Sequence, residues 1–365
     1  MMLSLVILLV VALYCFSEYP SLIPVYNKYI FYPFQWLRGL LFGFLPFSLG
    51  DIIYILGGVW LLMTVVKWTR YLLKFRSQKS QLLASFLSTI NTVLIVYLLF
   101  LFGWGANYYK QPLREYWNLN KADVASASFS KEELKLKTKK DLIAFDSFLV
   151  CNLNNYAPHY YSLSGKTINE RAIAYYNRYT DTWMKKFGLG VKPAFFSYFM
   201  ERTAVEGYYN PFTGEGQFDN GLPAFVLPFL VTHEIAHQAG IAAEGDANLM
   251  SYALCTATND STFRYSAYLE IWIYTNNRLY LRDSALADKF EAQLNKLTAA
   301  HIDTLEQLSK KYHNEFARYS SEFYDSYLKM QNQKEGIRSY GNVSSSAWQL
   351  ELNRMKNGNR PITIP

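Results

Sequence analysis

Residues 83–104, LASFLSTINTVLIVYLLFLFGW, form an apolar run without a single charged side chain. The run is as long as the roughly 20 residues that an α-helix needs to cross the hydrocarbon core of a bilayer. It ends on Trp104, and Tyr108 and Tyr109 follow; such aromatic side chains favour the membrane–water interface. The run therefore predicts a transmembrane helix, because lipid offers the backbone no hydrogen-bond partners outside a helix or a closed barrel.

Two shorter apolar runs precede it, at residues 52–66 and 2–16. We therefore expect a membrane anchor formed by residues 1–106 with about three transmembrane segments. A cleaved signal peptide is the alternative for the first run, but it lacks a basic start and a small-residue cleavage site, so we predict a retained anchor. The stretch 29–47 is apolar but interrupted by prolines and an arginine, and we interpret it as an interfacial or re-entrant segment.

The segment between the second and third apolar runs is basic and has no acidic residue. By the positive-inside rule this loop is cytoplasmic, which places residues 107–365 on the outer side of the membrane. The net charge of +7 is moderate and no nucleic-acid-binding motif is present, so we expect the lipid bilayer and no nucleic acid as a partner. The basic residues are Lys67, Arg70, Lys74, Arg76 and Lys79.

Residues 107–365 have a mixed polar and aromatic character that predicts an α+β domain, mostly helical, with a small sheet. The capping patterns SKEE at 130–133 and TINE at 167–170 predict helix starts, and helical patterning dominates from 222 to 333. The stretches KPAFFSYFM and AVEGYYNPFTGEGQFD are aromatic and interrupted by Gly and Pro, which predicts strands and turns.

The segment VTHEIAHQAG, residues 231–240, holds two of the chain's five histidines. On an α-helix their spacing places His233 and His237 one above the other on one face, where both imidazoles can reach one metal ion. Glu234 lies about 100° around the helix, beside the metal, where it can take a proton from a water molecule. This His-Glu-x-x-His arrangement is typical of zinc metallopeptidases and predicts Zn²⁺ as the cofactor and Glu234 as the catalytic base.

Zinc needs a third protein ligand, and the downstream candidates are Glu244 and Asp246. If the helix continued past Gly240, Glu244 would lie about 10 Å too far along its axis. We therefore expect Gly240 to end the helix and a second helix to return past the site. Glu244 and Asp246 point about 200° apart on that second helix and are alternatives. We favour Glu244, because Asn248 lies one turn later and can hydrogen-bond a ligand and fix its orientation.

The motif HEIAH followed by EGDAN resembles the gluzincin metallopeptidases, in which a second helix carries Glu-x-x-Ala-Asp. The resemblance implies Glu244 as the third ligand and Asn248 in the place of the aspartate. The chain is also similar to an uncharacterised bacterial family of membrane-anchored, zincin-like proteins, through GYYNPFTGE, LPFLVTHEIAHQAGIAAEGDAN and YDSYLKMQNQKEGIRSYGNV. That similarity implies a zincin-like domain at 107–365 and a multi-pass protein of the bacterial inner membrane whose C-terminal domain faces the periplasm or the cell exterior.

Two further segments have a candidate role. In zincins the site lies beneath a strand edge that pairs with extended peptide, and GYYNPFTGEGQFD is the candidate for that edge, with a plain hairpin as the alternative. Tyr340 is a candidate donor to a developing oxyanion, with a packed aromatic side chain as the alternative.

The leading hypothesis is a membrane-anchored zinc metallopeptidase that hydrolyses peptide bonds in a peptide or protein substrate. Two alternatives stay open at this point. One is a non-enzymatic envelope scaffold or peptide-binding protein on a zincin fold, and the other is a zinc hydrolase of a non-peptide amide. The complete ligand set and the presence of Glu234 favour an enzyme over a scaffold, because a scaffold needs neither.

Overall fold

The computed structural model describes residues 2–119, 131–180, 190–312, 315–331, 333, 339–358 and 362–363. Helices dominate these residues, and their strands form one small mixed sheet. The prediction of a mostly helical α+β protein with a small sheet is therefore confirmed.

The chain begins with three helices and a π-helical turn. The stretch 29–47 is largely helical, and its arginine, Arg38, is buried and donates a hydrogen bond of 2.5 Å to Gln35. Arg38 also donates to the backbone oxygen of Pro211, so this stretch is tied to the loop between two strands described below. The elements are α1 (Met2–Glu18), α2 (Leu22–Tyr26), a π-helical turn (Asn27–Phe31) and α3 (Tyr32–Phe42).

Two long apolar helices follow, α4 (Leu49–Leu73) and α5 (Phe75–Gly103). Both are long and apolar enough to cross a membrane. Near the end of α4, the indole of Trp68 donates to the Ser85 hydroxyl at 3.2 Å and its ring lies 5.6 Å from that of Phe86, near the start of α5. These contacts show that the two helices fold back on each other as an antiparallel hairpin.

The predicted segments 52–66 and 83–104 fall on these two helices, apart from the final residue, which caps the second. The first predicted segment, residues 2–16, forms α1, which is apolar but shorter than the helices that qualify by length. Among the described residues, the helices long enough to span are thus two rather than the three expected.

The rest of the chain is a helical domain built on an apolar core. Helix α7 packs along α12, and α11 lies between α10 and α16. Phe145, Ile235 and Tyr252 are among the fully buried side chains of this core. The helices are α6 (Leu113–Tyr116), α7 (Lys131–Tyr156), α8 (Gly165–Tyr179), α9 (Ser197–Thr203), α10 (Leu227–Gln238), α11 (Glu244–Ala257), α12 (Ser261–Tyr280), α13 (Ser284–Glu291), α14 (Lys296–Tyr312), α15 (Glu315–Met330) and α16 (Ser339–Asn357).

The sheet has the strand order β1-β3-β2, with β1 at Val191–Pro193, β2 at Gly207–Tyr209 and β3 at Gly216–Phe218. Strand β1 runs parallel to β3, and β2 runs antiparallel to it. The stretch GYYNPFTGEGQFD thus forms the β2–β3 hairpin, in keeping with the predicted strands and turn. The outer edge of β2 has no strand partner among the described residues.

The prediction of extended structure across KPAFFSYFM is wrong for its second half, which belongs to α9. Met200 is buried while Tyr198 and Phe199 are exposed, a burial period that suits a helix and not an alternating strand. The aromatic composition favoured a strand, but burial of one helical face against α14 and α15 decides the conformation.

The sheet docks on the N-terminus of α4 through a buried carboxylate. Glu215 accepts hydrogen bonds from the backbone N–H groups of Gly50 at 2.8 Å and Leu49 at 3.3 Å, and it pairs with Lys192 at 2.6 Å. Helix N-termini carry unpaired N–H groups and partial positive charge, so a carboxylate there is stabilising. One carboxylate therefore joins the membrane hairpin to the domain.

We predict that Glu215→Ala destabilises the whole protein, because it leaves Lys192 without its carboxylate partner at 12% exposure and removes the acceptor at the N-terminus of α4. Removing one partner of a buried pair costs about 3–5 kcal/mol. The control is Glu306→Ala, which removes an exposed pair with Lys310 and should cost less than about 0.5 kcal/mol. Thermal unfolding in detergent, followed by tryptophan fluorescence, measures both, and equal shifts in Tm would contradict the docking role.

Candidate metal centre

Helix α10 carries the histidine motif and is buried along its whole length. It ends at Gly240, whose φ of +81° lies in the left-handed region that glycine adopts without strain. A side chain at this position would also meet the ring of Phe31 at 2.6 Å. The helix therefore stops where the sequence predicted, and α11 returns past the site.

Three ligand atoms converge between α10 and α11. The Nε2 atoms of His233 and His237 are 3.1 Å apart, and Glu244 Oε2 lies 3.1 Å from the first and 3.4 Å from the second. Tetrahedral zinc with bonds of 2.0–2.1 Å separates its ligand atoms by about 3.3 Å. The three atoms are thus already close to the spacing that a metal ion imposes, and this group could hold a metal ion.

The hydrogen bonds on the far side of each ring explain why a cation fits this place. His233 Nδ1 contacts Asn248 Oδ1 at 2.7 Å, and His237 Nδ1 contacts the backbone oxygen of Ile241 at 2.7 Å. Both partners are acceptors, so each Nδ1 donates, and each ring in its neutral form presents a lone pair at Nε2. Two lone pairs and a carboxylate oxygen then face one another, and only a positive charge satisfies all three.

The pKa values of the two histidines and of Glu244 reflect how closely these groups lie together. Burial lowers the pKa of His233, and burial also acts to lower that of His237, but the Glu244 carboxylate outweighs it and raises the pKa of His237 to about 9. Burial opposes ionisation of Glu244, yet the two imidazoles hold its pKa well below the usual range. Protons and a metal ion therefore compete for the same three atoms.

Asp246, the alternative ligand, lies elsewhere. Its Oδ2 accepts a hydrogen bond of 3.0 Å from the backbone N–H of Leu113, at the start of α6. The carboxylate is thus used to attach α6 to α11, on the side of the helix away from the ligand cluster. The helical wheel favoured Glu244 over Asp246 as the third ligand, and the positions of the two carboxylates agree with that preference.

A tyrosine that sequence reasoning did not select reaches the centre. The hydroxyl of Tyr324, on α15, donates to Oε1 of Glu244 and so orients the carboxylate that faces the histidines. It is separated from Glu244 by 80 positions, and no local spacing signals the contact. Tyr340 lies at the start of α16, but its side chain is outside the described part of the structure.

Glu234 lies beside the ligands and against the sheet. It is 2% exposed, and its Oε2 has no hydrogen-bond partner among the described residues. A Cβ at Gly207 would stand 2.5 Å from Glu234 Oε1, so only glycine on β2 lets the carboxylate approach so closely. Burial raises the pKa of Glu234 to about 8, with a smaller opposing effect of His237.

A cavity of about 960 Å³ opens over the centre. Its walls come from α4, α5, α9, strand β2, α10, α11, α12 and α15, and they include His233, Glu234 and Glu244. Strand β2 and the residues before it border the cavity along its length. The cavity is therefore bounded by the candidate metal centre, the sheet edge at β2 and the long apolar helices, mainly α5.

Part of the cavity wall is acidic. Glu206, before β2, and Glu270, on α12, both line it. Burial and then Asp219 raise the pKa of Glu206, while burial and then Glu206 raise the pKa of Glu270 to about 8. A positively charged group near these two carboxyl groups would stabilise their ionised forms.

Fold and site together define a mostly helical protein that has two helices apolar enough to cross a membrane and a buried His-His-Glu cluster that could hold a metal ion. The chain belongs to the family described as a protein of unknown function (DUF3810), whose profile matches residues 26–345. The match includes both long helices and the whole metal centre. No curated protein and no solved structure shows significant similarity to the chain. The likeness to zincins and the identity of the metal stay predictions.

We expect Glu244→Ala to reduce bound metal to near zero in the purified protein, because two histidines alone hold zinc weakly. Asp246→Ala is the matched control on the same helix and should retain the metal, since its carboxylate contacts Leu113 and not the cluster. Elemental analysis of both variants after dialysis measures the difference. Metal loss in the Asp246 variant with retention in the Glu244 variant would contradict the assignment.

Proposed function

We propose that the protein is a membrane-anchored zinc metallopeptidase. The observation that supports this most is the convergence of His233, His237 and Glu244 on one point, with the carboxylate of Glu244 and two bare imidazole nitrogens facing each other. Two histidines and a carboxylate are a ligand set that zinc uses in catalytic sites, where a fourth position stays open. When bound, zinc supplies Lewis acidity that polarises a carbonyl and acidifies a water molecule.

The chain itself supplies the proton transfer. Glu234 is next in sequence to a ligand, and its Oε2 has no described partner that would compete for a proton. It can accept a proton from the attacking water and pass it to the leaving nitrogen. Its contact with Gly207 keeps the carboxylate beside β2, so the base and the strand edge face the same substrate.

A peptide is the substrate that this edge suits best. Strand β2 is antiparallel to β3 and presents its other edge without a strand partner among the described residues. An extended peptide can add to such an edge through main-chain hydrogen bonds, which hold a peptide bond in place without regard to its side chains. Strand β2 and Glu234 line the same cavity, and this supports peptide hydrolysis over hydrolysis of a non-peptide amide.

Glu234→Gln tests the enzyme assignment. The amide has the same shape and leaves the metal ligands intact, but it cannot accept the proton, so the hydrolysis rate should fall about 10²–10⁴-fold with metal content unchanged. A peptide-library digest analysed by mass spectrometry, with and without chelator, measures the rate. Glu322→Gln, an exposed change on α15, is the control. Cleavage that is equal in wild type and Glu234→Gln would favour a non-enzymatic scaffold.

The hairpin of α4 and α5 also indicates which side of the membrane the helical domain faces. Leu49 and Gly103, the outer ends of α4 and α5, lie with the helical domain, while the connection at Lys74 lies at the far end. With the basic loop in the cytoplasm, the domain and its metal centre face the periplasm or the cell exterior. This is the arrangement that we propose for a multi-pass protein of a bacterial inner membrane.

Reporter fusions test the orientation. A phosphatase reporter that folds only outside the cytoplasm should be active when fused after Tyr109 and inactive when fused at Ser77, in the basic loop. A fluorescent reporter that folds only in the cytoplasm should give the opposite result at both sites. The reverse pattern would place the domain in the cytoplasm and overturn the proposed orientation.

A further inference from the structure

The cavity over the metal centre continues along one stripe of α5. Val93, Val96, Tyr97, Phe100 and Trp104 all line it. Their spacing of three, four, seven and eleven positions from the first is the spacing of one helix face. The part of the cavity wall that α5 supplies is therefore a continuous stripe along the helix, which we call the α5 stripe, and not only the end of the helix.

This stripe leads from the metal centre towards the middle of the apolar run. Trp104 lies beside the centre, since its indole nitrogen is 3.5 Å from the backbone oxygen of His237. Val93 lies eleven positions earlier in the helix, which is about 16 Å along the axis. About 16 Å is half the thickness of a hydrocarbon core of roughly 30 Å. If α5 crosses a bilayer, the metal centre lies at the membrane–water interface. The cavity then extends from the metal centre to the depth of the lipid chains.

Exposed aromatic side chains lie on or just before α9 and on α15, two of the helices that line the cavity. Phe195 is 54% exposed, and Tyr198 and Phe199 of α9 are also exposed. Phe323 of α15, which lines the cavity, is 75% exposed. Aromatic side chains concentrate at the membrane–water interface, and their presence here supports a metal centre at that depth.

The stripe has the width of one helix face. The cavity of about 960 Å³ also includes the space over the metal centre, so only part of it lies along the stripe. An extended peptide joined to a single flexible hydrocarbon chain is narrow enough for both parts.

We infer that the substrate is a peptide that carries an acyl chain, with the peptide extended on β2 and the chain lying along the α5 stripe between the metal centre and the bilayer. The polar end of the cavity, with Glu206, Glu270 and the metal ligands, accommodates the peptide. The apolar end, at Val93 and Val96, accommodates the chain. This inference rests on the proposed function and names the substrate class of the same site.

The test uses the full-length protein in lipid nanodiscs and two probes that bind a metal through the same group, palmitoyl-dialanyl hydroxamate and acetyl-dialanyl hydroxamate. Val96→Trp fills the stripe and should weaken binding of the palmitoyl probe about tenfold or more, with binding of the acetyl probe changed less than about twofold. Ile95→Trp is the matched control. Ile95 is 41% exposed, Val96 is 44% exposed, and Ile95 does not line the cavity. Binding to empty nanodiscs is subtracted.

The named outcomes separate the possibilities. Selective loss of the palmitoyl probe in Val96→Trp, with Ile95→Trp unchanged, supports an acyl chain on the stripe. Equal effects of the two tryptophans, or a palmitoyl probe that binds no better than the acetyl probe, overturn the inference. A transmembrane helical peptide that displaces the palmitoyl probe through the same position also overturns it. These binding results do not depend on turnover, so they are distinct from the Glu234→Gln assay, whose failure would remove the peptidase proposal instead.

Discussion

Two imidazole nitrogens and one carboxylate oxygen lie 3.1–3.4 Å from one another, where a metal ion and protons compete for them. The rest of the site depends on this arrangement. Asn248 and the Ile241 carbonyl hold the protons of His233 and His237 on the far side of the rings, and Gly240 turns the chain so that α11 brings Glu244 back to the first helix. A buried cluster of acceptors is costly without a cation, so local structure and metal binding are linked.

The site also depends on the N-terminal helices and the hairpin of α4 and α5. Trp104 packs on His237 with ring centroids 6.1 Å apart, and Phe31 fills the space beside Gly240. On the other side, Glu215 joins the sheet to the first turn of α4. The hairpin thus forms part of the wall of the metal centre and is more than a tether. This is why the proposed substrate meets both the strand edge and the lipid-facing helix.

Local patterns predicted much of this. The four-residue spacing of His233 and His237 and the break at Gly240 depend on helix geometry alone, so a helical wheel suffices to place them and to prefer Glu244. The apolar runs likewise predict α4 and α5. The contact of Tyr324 with Glu244 could not be predicted, because it joins helices far apart in the chain and depends on how the whole domain packs.

Other differences have the same origin. The helix at Ser197–Thr203 was expected as a strand because its aromatic composition favours one, whereas burial against neighbouring helices decides its conformation. Glu215, on the β2–β3 hairpin, accepts a hydrogen bond from the first turn of α4. The local sequence of neither segment predicts this contact. Composition gives the class of each segment, but tertiary partners give its final conformation and its contacts.

X-ray absorption at the zinc edge, on full-length protein purified in detergent without chelator, tests the central claim most directly. We expect one zinc per chain, with nitrogen and oxygen scatterers at about 2.0–2.1 Å and an imidazole signature from two histidines. A protein that retains no zinc, or a spectrum dominated by sulfur at about 2.3 Å, would contradict the claim that His233, His237 and Glu244 form a zinc centre.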